Sequence, residues 1–184
     1  MQEISLNILD IVQNSVRAGA SVIEVEVYED LAEDMLFFSV KDNGCGMDEE
    51  MVQRVMDPFV TTRTTRKVGM GISLLRSAAQ ATGGDVELSS KLGEGTFIKA
   101  TFSHSHIDRQ PLGNMADTMT SLISMNSHID FRYKHTFNSN VFELDTKEMK
   151  EILGEVPLSD PTVAAWLREY IGEGISNIYG GADQ

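Results

Sequence analysis

A chain of 184 residues is long enough for one sizeable core, or for a core with a small addition. Its 41% hydrophobic and 23% charged residues are ordinary globular material, while a formal net charge of −13 and a pI near 4.6 leave no overall basic field with which to hold nucleic acid. No apolar run approaches the roughly 18 residues of a membrane span, the start MQEISLNILD lacks the basic stretch and cleavage site of a signal peptide, and a single cysteine excludes an internal disulfide. The expectation is a cytoplasmic protein with no membrane or nucleic-acid partner.

In chain order, ISLNILDIVQNSVRAGAS places Ile4, Ile8, Ile11, Val12 and Val16 near the helical period and stops at Gly19. Asp10, Asn14 and Arg17 form a polar stripe on that helix. VIEVEVY alternates as a half-buried strand does, and MLFFSVKD reads as a more buried strand ending at the turn DNGCGM. DEEMVQRVMDPF is helical up to Pro58, TTRTTRKVG is a basic loop without period, and Ile72 to Thr82 is helical again before Gly83 and Gly84. DVELSS and GTFIKATF read as a strand pair joined by KLGEG. This order predicts an α/β fold, a two-layer sandwich with helices on one face of a mixed sheet.

SHSHIDRQP interrupts the pattern near residue 104 and divides the chain into a domain at 1–104 and a small α+β appendage at 105–184, whose role is open. Within the second part MADTMTSLISM reads as a helix whose methionines, Met115 to Met125, pack in the core, with a partner surface as the second reading. HIDFRYKH and NVFELD read as a hairpin. Asp145 with Glu148, and Asp160 before Pro161, mark two further helix starts. Cys45 reads as a small filler, and the four histidines as structural or solvated residues.

DNGCGM and VGMGISLL each carry two glycines one residue apart, yet neither extends to a dinucleotide fingerprint, and no Walker-type loop is present. Taken with QNSVRAGAS, DPFVTTR, ATGG and GEGTF, these boxes resemble, in order, those of the Bergerat-type (GHKL) ATPases, the superfamily of gyrase, MutL and the catalytic domains of histidine kinases. The first box is nearer the MutL type and the later ones nearer the histidine-kinase type. The resemblance covers residues 4 to 102; the whole length is also similar to small stand-alone bacterial ATP-binding proteins.

The resemblance implies a Bergerat fold that binds ATP with Mg²⁺. Asp42 would accept a hydrogen bond from the adenine amine, with Gly44 and Gly46 allowing close approach and Met47 and Thr96 beside the base. Gly69, Met70, Gly71 and Ile72 would bring a helix start to the phosphates, Asn14 would supply an oxygen to Mg²⁺, and Thr62, Arg63 and Lys67 would belong to a lid over the phosphates spanning Thr61 to Val68. Arg63 would touch the terminal phosphate. Asp10 stands where hydrolysing members carry a glutamate, so it becomes the candidate water-orienting base with a shorter reach. No phosphoacceptor hairpin fits ahead of a helix starting near residue 3, so phosphotransfer would go to a separate protein. The resemblance thus implies slow ATP hydrolysis or phosphotransfer by an ATPase or protein kinase; the alternative is a non-catalytic regulatory protein that uses ATP and ADP as a structural switch. A protein partner or substrate is expected, and homodimerisation is left open.

Overall fold

The computed structural model describes residues 2–57, 59 and 70–180. Its first helix, α1 (Ile4–Arg17), buries Ile4, Ile8 and Val12 on one face together with Ser5, Asn7 and Ser15. No side chain caps its start. Instead the carbonyls of Pro111 and Leu112 accept from the N–H groups of Ile4 and Ser5 at 2.9 and 2.8 Å, and the Asn7 amide donates to Gln110 at 2.8 Å. The segment that interrupts the sequence pattern near residue 104 is therefore fastened along the entry of α1, where it satisfies N–H groups that every helix start leaves open.

After α1 come β1 (Val22–Asp30), β2 (Met35–Asp42), α2 (Glu49–Met56), α3 (Met70–Ala81), β3 (Asp85–Lys91) and β4 (Gly95–Ser103). There follow α4 (Met115–Met125), β5 (Asp130–Phe137), β6 (Asn140–Asp145), α5 (Thr146–Leu153) and α6 (Pro161–Ile178). The six strands form one mixed sheet in the order β3-β4-β2-β1-β5-β6, antiparallel throughout except for the parallel pair β1 and β5. The C-terminal residues do supply the expected hairpin and helices. The hairpin extends the N-terminal sheet by lying beside β1.

Strand alternation sets the two faces. Ile23, Val25, Val27, Leu36, Phe38, Val40, Ile98, Ala100, Phe102, Phe131 and Tyr133 point to the helix-covered face and are all buried, the expected period of 2. Met115 and Met119 join this core, whereas Met125 is exposed. On the opposite face, Glu24 and Glu26 of β1 stand beside Arg132 and Lys134 of β5, which stand in turn beside Asp145 and Glu143 of β6. Arg132 pairs with Glu24 at 2.8 Å and reaches Asp145 at 3.6 Å; Lys134 lies 3.9 Å from Glu26. The uncovered face is thus solvated by columns of alternating charge. Among the described residues, no helix is long and apolar enough to cross a membrane.

The two helix starts expected at Asp145 and Asp160 are built as side-chain caps: Asp145 accepts from the Lys147 N–H at 2.9 Å and Asp160 from that of Thr162 at 2.9 Å. A buried polar cluster ties the C-terminal end of α6 to the sheet. Glu29, on the covered face of β1, meets His135 Nε2 at 3.1 Å and His104 Nε2 at 3.3 Å and also accepts from the Tyr179 hydroxyl; His135 Nδ1 in turn lies 2.8 Å from the Tyr133 hydroxyl. Burial raises the Glu29 pKa, but the hydrogen bonds from His135 and Tyr179 and the charge of His135 outweigh it, so the carboxyl sits below its ordinary value. Burial, followed by the bond to Glu29, pushes the Tyr179 hydroxyl far above the usual phenol range.

Candidate functional site

The end of β2 carries Asp42 into the buried layer below the C-terminal turns of α1. The residue is 9% exposed, and each carboxylate oxygen already has one donor: the Ser15 hydroxyl reaches Oδ2 at 2.6 Å and the Gly44 N–H reaches Oδ1 at 2.8 Å. Each oxygen retains further acceptor capacity. Ser15 occupies a position on α1 where the spacing of Ile4, Ile8 and Val12 asks for an apolar residue. That misfit was the available signal for a residue that the motif comparison did not single out.

Asp42 opens into a cleft of about 260 Å³ walled by Ile11, Val40, Met51, Val55, Leu88 and Ile98, with Asn14, Ser15, Arg17 and Thr96 as further polar members. Asp42 and Thr96 are direct partners across β2 and β4. The Thr96 hydroxyl lies 2.8 Å from that of Ser90, which accepts from the Met47 N–H at 2.8 Å, so the residues after the turn are tied to the strand pair. The cleft combines a dry wall with a few convergent polar groups, the usual make-up of a small-molecule site.

The DNGCGM glycines have a local reason. A Cβ at Gly44 would come within 2.8 Å of the Ala18 Cβ and 2.9 Å of its carbonyl oxygen, and Gly46, at φ 69°, would put a Cβ 2.0 Å from the Lys91 carbonyl. The turn between them is clamped on both sides, because the Cys45 N–H donates to Ala18 at 2.9 Å and its carbonyl accepts from Gly93 at 2.8 Å. These glycines let the chain press against α1 and the β3–β4 turn, and thereby fix Asp42. Cys45, read from sequence as a filler, is exposed and lines the cleft.

Of the residues singled out from sequence, the cleft gathers Asn14, Asp42, Gly46, Met47, Ile72 and Thr96. The Asn14 side-chain oxygen faces Arg17, accepting from Nη1 at 3.2 Å. Asp10 lies one turn earlier on α1, exposed and not among the cleft residues, and Gly71 sits exposed in the first turn of α3. Met70 begins α3. Thr62, Arg63, Lys67 and Gly69, and the lid to which they were assigned, lie outside the described residues.

The family model described as histidine kinase-, DNA gyrase B- and HSP90-like ATPase matches residues 2–106. A putative sensor protein of Shewanella frigidimarina is 33% identical over 113 residues, 58% of this chain and 17% of that protein. The sensor histidine kinase WalK of Bacillus subtilis is 35% identical over 95 residues, 49% of this chain and 15% of its own length. The chain thus spans less than a fifth of either relative. Among solved structures, the MutL ATPase domain of Aquifex aeolicus, complexed with ADP, superposes with a TM-score of 0.50 at 14% identity, covering 83% of this chain and 69% of that one. The N-terminal domain of a DNA repair protein reaches 0.54 at 15% identity over 84% and 58%. Both cover more of the chain than residues 2–106, so the likeness of fold continues into β5 and beyond. With a family model spanning more than half of its length, this chain belongs to the histidine kinase-, DNA gyrase B- and HSP90-like ATPases, a membership that implies ATP binding.

Proposed function

We propose that the cleft beside Asp42 receives the adenine of ATP, that Asn14 contributes an oxygen to Mg²⁺ at the phosphates, and that the terminal phosphoryl group is handed to a separate protein, with only slow loss to water. The observation that carries this is the carboxylate of Asp42, buried, held by one donor on each oxygen and facing a largely apolar cleft. A fixed acceptor of this kind suits the exocyclic amine of adenine. The carbonyl oxygen of guanine would face it as a second acceptor, leaving the carboxylate uncompensated. A neutral amide oxygen on the cleft wall fits a hard cation that takes its other ligands from water and phosphate, so Asn14 would suit Mg²⁺ once its oxygen is released from the Arg17 guanidinium that holds it at 3.2 Å. Bound there, the ion would neutralise charge on the phosphates.

The placement of Asp10 favours transfer over hydrolysis. It is exposed and outside the cleft lining, and its carboxylate is one methylene short of the glutamate that the family's hydrolysing members use. A shortfall of ~1 Å in positioning can cost on the order of 10²-fold in rate. The segment 61–68 would close over the phosphates, with Arg63 at the terminal one and Thr62, Lys67 and Gly69 around the others.

Calorimetric titration tests the reading directly. ATP and ADP should bind in the presence of Mg²⁺, and GTP should bind weaker by on the order of 10⁴-fold. Asp42→Asn should remove that preference, and Asn14→Ala should remove the Mg²⁺ dependence. Equal affinity of the parent for GTP would refute the adenine assignment. Incubation with labelled ATP and a lysate should move the γ-phosphate to a protein faster than it appears as free phosphate, with Asp10→Asn leaving the transfer intact.

A further inference from the structure

The sheet ends at β6, and its outer edge has no strand beside it among the described residues. In the antiparallel β5–β6 ladder, Asn140, Phe142 and Leu144 are the residues that face β5 with their backbone groups, because the two-residue turn pairs Phe137 with Asn140. The N–H and C=O groups of Val141 and Glu143 and the N–H of Asp145 therefore point outward, the Asp145 carbonyl being taken up by the start of α5, and the three side chains share the uncovered face. Glu143 makes no ion pair among the described residues.

Two features say what would pair there. On the uncovered face the columns run acidic on β1 (Glu24, Glu26), basic on β5 (Arg132, Lys134) and acidic on β6 (Glu143, Asp145), so the place next in line is basic. On the covered face, the Phe142 ring meets Tyr170 at 5.7 Å, and Tyr170 stacks on Trp166 at 5.1 Å and 15°. Trp166 is 49% and Tyr170 41% exposed. An apolar shelf thus runs along one side of the free edge and an acidic column along the other. The opposite edge, β3, has Glu87 and Lys91 both exposed and no aromatic group on the strand.

We propose that the β6 edge is a docking site for an extended segment of a partner protein in which basic residues alternate with apolar ones. The backbone would add a seventh strand, lysines or arginines would lie beside Glu143 and Asp145, and the intervening apolar side chains would rest against Phe142, Tyr170 and Trp166. A second copy of this chain fits poorly, because antiparallel pairing of β6 with itself about Glu143 would set acidic column against acidic column. The site shares no residue with the cleft at Asp42, so it stands independently of the nucleotide assignment.

Trp166 is the chain's single tryptophan, so its emission reports on this shelf alone. A synthetic peptide of alternating lysine and valine, about eight residues long, should shift that emission in a saturable way, more strongly at low salt. A peptide of the same composition in two blocks, and one alternating glutamate and valine, should not. Val141→Pro, which removes an outward N–H without changing charge, and Glu143→Lys should each weaken binding by roughly ten-fold or more while thermal unfolding shows the fold retained. Equal binding of the block peptide, or undiminished binding to a folded Val141→Pro variant, would overturn the proposal. So would a dimer in sedimentation that Val141→Pro dissociates, since the edge would then belong to a second copy.

Discussion

Two buried carboxylates lie on neighbouring strands of the same covered face. Asp42 is 9% and Glu29 5% exposed. Around Glu29 three donors converge, His135 and Tyr179 on one oxygen and His104 on the other, and the result is a fastening between β1, β5 and the end of α6. Around Asp42 the two donors leave room, and what faces the remaining lone pairs is a cleft. Burial is common to both carboxylates; what sets Asp42 apart as the candidate is spare acceptor capacity directed at a cleft.

The sharpest way to break the contrast is to remove a partner from the closed region. His135→Phe leaves Glu29 as a buried charge short of its main partner and should cost about 3–5 kcal/mol of stability, read by denaturant unfolding, with ATP affinity at permissive temperature unchanged. Acid should act on the same place. The Glu29 carboxyl titrates lower in the folded than in the unfolded chain, so its contribution is fully present above the unfolded value, about 4.5, and fades as pH falls through the folded one. Glu29→Gln should flatten stability against pH in that acidic window and leave the curve at neutral pH parallel to the parent's. A deepened acid loss would contradict the assignment.

In the open region, Ser15→Ala removes one of the donors holding Asp42, an interaction with a charged group worth about 1.5–3 kcal/mol. ATP affinity should fall on the order of ten-fold, with a smaller change in unfolding than His135→Phe produces. If the two variants give the same pattern, the distinction between the regions fails. The smallest effect belongs to the uncovered face: Arg132→Ala breaks pairs at 2.8 and 3.6 Å, yet both partners are solvated, and unfolding should move by less than about 1 kcal/mol.

Much of this molecule was legible in its sequence because the signals are local. The apolar period of α1, the alternation of β1 and the acids before α5 and α6 each report on a few consecutive residues, and the structure builds all of them as read. The pairing of β1 with β5 was not legible, since nothing in VIEVEVY or HIDFRYKH names its neighbour across about a hundred residues of chain. Asn14, Asp42, Met47, Ile72 and Thr96 were singled out by box order and line one cleft, whereas Ser15 and the Ser90–Thr96 hydroxyl pair emerge only once α1 and the strand pair are folded together. The tight contacts at Gly44 and Gly46 were not legible either, because their crowding comes from Ala18 and Lys91, which lie far from them in sequence.

The β1–β5 pairing orders events during synthesis. Until residues 130–137 have left the ribosome, β1 is an open sheet edge, even though everything in the stretch 2–106 is already available to fold. Contacts across so long a loop close slowly. A nascent chain halted near residue 110 would therefore display Val22 to Tyr28 as an unprotected strand, and chaperone capture of such stalled chains should end once the hairpin emerges.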